Sequence, residues 1–272
     1  MRSLNGRELA GFIKERQAKQ VRQLRQAMGI KPKLAIVVTV DNPVINTYMT
    51  LKQRYGSDID IDVDVHRVEQ SAIAELLTRL NQDETVQAVI VQLPLNDPSQ
   101  TEEIVNLVAP EKDVDGLGRD SLFEPATPMA VLWLLSGYNV ELNNKDVVLV
   151  GRGKLVGAPL EKMLLRSGIT PRVLVKETPN VPDEVRKADV IISATGVAGL
   201  IKPDMIKRGA VVVDAGVASE GGKTVGDVDE QVFKERDDLT ITPKKGGVGP
   251  LTVTALFDNV IRAAQRLAEK TA

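Results

Sequence analysis

Short apolar runs rich in β-branched residues recur along this chain, and between them lie stretches with helical spacing. The runs are Leu34 to Val40, Val86 to Leu93, Val147 to Val150, Arg172 to Val175, Val190 to Ser193, Ala210 to Asp214 and Leu239 to Thr242. Runs apolar on both faces belong to strands covered from both sides, and parallel strands need a crossover between them, usually a helix. The pattern therefore predicts an α/β protein, with an N-terminal α/β domain and a Rossmann-type dinucleotide-binding domain separated by a cleft.

Composition narrows the chemistry. The chain has 272 residues, enough to bury two cores. A net charge of -2 offers no basic footprint for nucleic acid. Cys 0 excludes a thiolate nucleophile and His 1 excludes a histidine-rich metal site, so acid/base work falls to Lys, Asp, Glu or Tyr. The N-terminus has a charged helical pattern and no run approaches a membrane span; the expected setting is a reducing cytoplasm.

Local signals divide the chain. Asn5 is placed to cap a helix that Gly29 stops. Asn42 and Pro43 fit an N-cap and first helical residue, predicting a helix to about Tyr55 with Gly56 past its end. On that helix Tyr48 and Lys52 are four apart and share a face. Ile59, Ile61, Val63 and Val65 alternate with Asp58, Asp60, Asp62 and Asp64, the period of a strand with one wet face that His66 continues. Ala72 to Leu80 and Ile104 to Val108 have helical spacing. Pro94 ends the 86–93 strand and leaves Gln92 at its carboxyl end, where ligands of open parallel sheets bind. Thr127 and Pro128 repeat the cap-and-proline start of a helix ending near Gly137. The expected division is 1–120 with 251–272 against 121–250, the last helix returning to the first domain to cover its apolar stripe.

Gly151-Arg152-Gly153-Lys154-Leu155-Val156-Gly157 follows a predicted strand and opens a helix. Glycines let a phosphate approach the backbone, and the helix N-terminus supplies positive partial charge. Arg152, Lys154 and Lys176 could embrace a 2′-phosphate and favour NADP; Glu177 leaves NAD open, because a carboxylate there can hold the ribose 2′-OH. Taken alone, Lys52 is best explained as a solvated lysine near a carboxylate. Asp113 and Asp115 form a D-x-D that suits a metal or a plain loop, but few flanking acids accompany it, so a ligand-orienting carboxylate is preferred and no metal is expected.

The ordered set of motifs resembles the bifunctional methylenetetrahydrofolate dehydrogenase and methenyltetrahydrofolate cyclohydrolase family over nearly the whole chain. Tyr48-Met49-Thr50-Leu51-Lys52 resembles its Y-V-x-x-K, Val91 to Leu95 its V-Q-L-P-L, Pro110 to Gly116 its P-x-K-D-V-D-G, and Pro125 to Pro128 its P-C-T-P. Gly151 to Gly157 resembles G-R-S-x-x-V-G, Gly226-Asp227-Val228 its G-D-V, and Thr242 to Thr252 its T-P-V-P-G-G-V-G-P-M-T. The resemblance implies oxidation of 5,10-methylenetetrahydrofolate by NADP, with NAD possible, and hydrolysis of the methenyl product to 10-formyltetrahydrofolate. It makes Lys52 the acid/base and Tyr48 and Gln92 its positioning partners, and it assigns Asp115 to the pterin donor edge. It further implies folate contacts at Gly249 and Pro250, cofactor contacts at Gly151, Arg152, Gly153, Lys176, Thr195 and Val217, and a homodimer. The chain departs from the pattern at Ile45, Gly153, Lys176 and Lys244-Lys245, and its 117–124 segment is shortened. A member with one activity, or a noncatalytic paralogue, is the alternative; altered cofactor residues favour it and Lys52 opposes it.

Overall fold

The computed structural model describes residues 1–220 and 223–271. The chain divides into two compact units, Gly11–Ala126 with the chain from Val253 onward, and Met1–Ala10 with Thr127–Thr252. The family of folds is as expected, two α/β bodies built on parallel sheets.

The elements begin with β1 (Arg2–Ser3), α1 (Gly6–Met28), β2 (Lys33–Val38), α2 (Pro43–Asp58), β3 (Asp62–Arg67), α3 (Ile73–Gln82), β4 (Ala88–Gln92) and α4 (Thr101–Val105). In the first unit β2 lies between β3 and β4, all parallel. Val37 and Val89 of this sheet pack with Leu77 of α3 and Ile104 of α4. Asn5 and Asn42 act as read: Glu8 N–H donates to Asn5 Oδ1 at 3.2 Å, and Ile45 N–H donates to Asn42 Oδ1 at 2.9 Å.

The segment after Tyr55 differs from the expectation. Helix α2 runs on to Asp58, so Gly56 lies inside it. A side chain at Gly56 would put Cβ 2.5 Å from a Val63 methyl and 2.8 Å from the Ile61 carbonyl oxygen. That glycine is there for close packing against β3, not for a helix stop. Ile59 and Ile61 are buried at the helix end, with Asp60 left-handed at φ 63°, and the strand starts only at Asp62. The aspartates of the alternating stretch are met by cations: Lys14 on Asp58, Arg25 on Asp60, Lys31 on Asp62 and Lys33 on Asp64.

Onward come α5 (Ala126–Gly137), β5 (Val147–Val150), α6 (Gly157–Arg166), β6 (Arg172–Leu174), α7 (Val181–Lys187), β7 (Val190–Ser193), β8 (Val211–Asp214), β9 (Ala218–Glu220), β10 (Lys223–Val225), α8 (Val232–Glu235), β11 (Thr240–Ile241) and α9 (Val248–Thr271). Helix α5 begins one residue before Thr127, which puts Thr127 in the first turn instead of at the cap. The second unit's sheet has the order β1-β11-β8-β7-β5-β6, parallel throughout. Because β6 and β7 flank β5 on opposite sides, the strand order reverses there, and the crevice at the carboxyl ends of β5 and β7 is where such sheets take ligands.

Strand β1 and the antiparallel β9–β10 pair were not anticipated. The first places residues 1–10 with the second unit, unlike the 1–120 grouping expected from sequence. Its two residues carry no apolar alternation; Arg2 N–H donating to Leu239 O and Leu4 N–H to Ile241 O, both at 2.8 Å, define it. Among the described residues no helix is long and apolar enough to cross a membrane.

Candidate active site

Within the first unit, Val38 pairs with Gln92, which puts Gln92 at the carboxyl end of β4. Lys52 comes from α2, whose start is fixed by the Asn42 cap and Pro43. Its Nζ donates to Gln92 Oε1 at 2.8 Å, and Gln92 Nε2 donates to Leu93 O at 2.7 Å. The second bond settles which end of the amide faces the lysine, since a carbonyl oxygen must meet the NH2. Burial pushes the Lys52 ammonium below the ordinary lysine range, and the nearby Asp115 charge works against that shift. Burial likewise pushes the Asp115 carboxyl up, with Lys52 opposing. A lysine whose desolvation outweighs its counter-charge can exist as a free amine nearer neutral pH, the form a general base needs.

Tyr48 lies one turn before Lys52 and is 37% exposed, so its ring and hydroxyl are open to a ligand on that helical face. The structure thus brings Lys52, Gln92 and Asp115 together, with Tyr48 alongside on α2.

The Pro110 to Gly118 loop shows why the two aspartates of D-x-D differ. Asp113 is buried, and its Oδ2 accepts from Gly118 N–H at 2.8 Å, so it ties the loop to itself. Burial raises its carboxyl above the usual range. Lys112 Nζ donates to Leu80 O at 2.8 Å and Asp83 O at 2.7 Å, capping the carboxyl end of α3. Gly116 is left-handed at φ 69°, and a Cβ there would lie 2.7 Å from Pro125 N, so only glycine fits. Asp115 is the other carboxylate of the D-x-D and the one whose charge acts on Lys52. Among the described residues no three His, Cys, Asp or Glu side chains cluster to hold a metal.

In the second unit the glycine turn is built as the spacing requires. Gly151 is left-handed at φ 96°, and a Cβ there would come within 2.7 Å of Ala194 O, at the end of β7. A Cβ on Gly157 would meet Gly151 O at 2.2 Å, so α6 starts hard against the turn. Nothing lies within 4 Å of a Cβ at Gly153, which leaves backbone approach open there. These features fit a dinucleotide pyrophosphate. Arg152 donates its Nε to Glu161 Oε2 on α6 at 2.7 Å, with its side chain otherwise 58% exposed. Lys176 and Glu177 are exposed in a turn after β6, closed by Thr178 N–H on Val175 O and by Val175 N–H on Thr178 Oγ1, each 2.9 Å.

The loops after β7 and β8 are fixed by two aspartates. Asp227 Oδ2 accepts from Ser193 Oγ at 2.6 Å and from Thr195 N–H at 2.7 Å; Asp214 accepts from the N–H groups of Gly216, Asp227 and Val228. Burial pushes the Asp214 carboxyl up, with the Asp227 charge adding to it. Thr195 is therefore held in place, and Val217 stands 61% exposed beside it in the neighbouring loop. Sequence reasoning missed both aspartates as loop anchors; Gly216 and Gly226 were the available signal, since a Cβ at either would fall within 2.1 Å of a carboxylate oxygen. Gly249 and Pro250 lie in the first turn of α9, inside the 127–252 unit.

Comparison with known proteins gives the family. Residues 4–115 match the model of the tetrahydrofolate dehydrogenase/cyclohydrolase catalytic domain, and residues 125–268 that of its NAD(P)-binding domain. The bifunctional protein FolD of Bacillus velezensis is 37% identical, over 97% of each chain. The solved bifunctional FolD of Campylobacter jejuni superposes with a TM-score of 0.91 at 35% identity, covering 98% of this chain and 99% of that one. The Trypanosoma brucei enzyme, solved with NADP cofactor and inhibitor, gives 0.89 at 31% identity over 97% of each chain.

Proposed function

The chain belongs to the tetrahydrofolate dehydrogenase/cyclohydrolase family, and on that premise we propose how its own residues carry the two reactions. The activity is oxidation of 5,10-methylenetetrahydrofolate with NADP, followed by hydrolysis of the methenyl product to 10-formyltetrahydrofolate. NADP, when bound, supplies the hydride acceptor. Gly151, Gly153 and the start of α6 would hold its pyrophosphate, with Thr195 and Val217 in the adjacent loops and Arg152 and Lys176 available to its 2′-phosphate.

In the hydrolytic half Lys52 acts as a free amine. It takes a proton from the water that attacks the methenyl carbon and returns it to the ring nitrogen as the C–N bond breaks, while the hydroxyl proton of the adduct leaves to solvent as the formyl C=O forms; one group thus serves both transfers. Gln92 aims the amine, Asp115 accepts two parallel N–H bonds from the pterin edge, and Tyr48 stacks against the folate. The resemblance also assigns Gly249 and Pro250 to folate. Hydride transfer needs orientation more than proton movement, so Lys52 matters less to it. The observation that carries this reading is the 2.8 Å bond between a desolvated Lys52 and Gln92 Oε1. Absorbance of NADPH formation, run beside a methenyl-hydrolysis assay, tests it: both activities are expected, and loss of either in the unmodified chain would refute the bifunctional assignment. The assembly is a cytoplasmic homodimer, as the resemblance implies; light scattering giving a monomer mass would count against that.

A further inference from the structure

Asn259 sits in the middle of α9 and is fully buried. Its Nδ2 donates to two backbone carbonyls at 2.9 Å each, Val114 O and Glu124 O. Both partners are acceptors, so the NH2 end is fixed, and Oδ1 is left buried with no hydrogen-bond partner. A buried amide with an unmet acceptor costs free energy, and an apolar side chain of similar size would avoid that cost. What an apolar side chain could not do is join two carbonyls from different segments. One belongs to the residue immediately before Asp115; the other lies in the segment against which Gly116, immediately after Asp115, is packed.

We propose that Asn259 is a positioning residue for folate recognition: it clamps the Asp115 loop to the 123–125 segment and thereby sets where the Asp115 carboxylate stands. The role rests on the assignment of Asp115 to the pterin edge. Lys112 holds the same loop on the carboxyl end of α3, so the stretch leading into Asp115 is fixed at Lys112 as well as at Val114.

The test uses the full chain with Asn259→Ala, Asn259→Ser and Asp115→Asn. Amide hydrogen exchange over residues 112–118 reads the clamp directly, and should be faster in both Asn259 variants while the rest of the sheet stays protected. In the same variants kcat/KM for methylenetetrahydrofolate should fall by about tenfold or more, as a binding group displaced by a fraction of an ångström implies. KM for NADP should not change, and the rising limb of the cyclohydrolase pH profile should move the same way as in Asp115→Asn. Asn259→Ser retains one donor and is the variant to read where Asn259→Ala does not fold. Unchanged exchange and kinetics in a folded variant overturn the proposal, and so does failure of both variants to fold, which would make Asn259 a folding determinant only. Faster exchange with Asp115→Asn kinetically silent would keep the clamp and refute the role given to Asp115.

Discussion

Replacing Gln92 by Leu removes the acceptor of the Lys52 bond while keeping a side chain of similar volume on β4. An amide oxygen 2.8 Å from Nζ favours the charged lysine, since an ammonium donates where a free amine donates weakly. Hydrogen bonds to charged groups are worth about 1.5–3 kcal/mol net, and Lys52 is only half-buried as a residue, so the lower end applies. Its loss should destabilise the ammonium by about 1.5 kcal/mol and so lower the Lys52 pKa further below a value that burial has already lowered. The sign follows directly: a base that deprotonates at lower pH moves the rising limb of the cyclohydrolase profile to lower pH. The plateau should also drop, because nothing then aims the amine, and steady-state hydrolysis of the methenyl substrate across pH measures both. The dehydrogenase profile, followed by NADPH absorbance, should keep its shape. A limb that stays in place, or moves to higher pH, would refute the claim that this bond stabilises the charged lysine.

Lys52→Met should cut cyclohydrolase activity by at least about a hundredfold, the usual contribution of a positioned acid/base, while hydride transfer survives in part; equal loss of both with folate binding intact would oppose the division of labour. Arg152→Ala with Lys176→Ala should reduce catalytic efficiency with NADP far more than with NAD, and an equal loss with both cofactors would pass the ribose-reading role to Glu177. Arg236 forms a fork with Asp238 and also donates to Pro203 O, Ile206 O and Lys207 O. A lysine cannot reproduce that fan, so Arg236→Lys should cost about 2 kcal/mol and lower the melting temperature by several degrees in a calorimetric scan; an unchanged transition would show the fan to be energetically idle.

What was legible in the sequence was whatever a few neighbouring residues determine. Asn42 before Pro43 specified the start of α2, Pro94 specified that Gln92 ends a strand, and the spacing of Gly151 and Gly157 specified the turn. Gly56 misled because a glycine that ends a helix and a glycine that makes room for Val63 look alike until the neighbour is known. Strand β1 left no trace, since two residues carry no period and their partners lie near Leu239. The pairing of Arg152 with Glu161 was open to detection, the two being nine apart across the start of one helix, but a motif that assigns the arginine to phosphate hides it. Asn259 was out of reach: its partners are 145 and 135 positions away, and an asparagine in an apolar helix says only that something polar must meet it.

The way the two units share the chain bears on its synthesis. Strand β1 is translated well before its strand partner β11, and Gly11–Ala126 well before the α9 segment that packs with it. Each unit therefore waits on a later-translated piece: β1 has no strand partner until residues near 240 leave the ribosome, and Asn259 cannot engage the Asp115 loop until α9 has been made. A nascent chain stalled before α9 holds the Asp115 loop without its clamp, so neither unit is complete until β11 and α9 have both been made, and a cut between the units would leave neither whole.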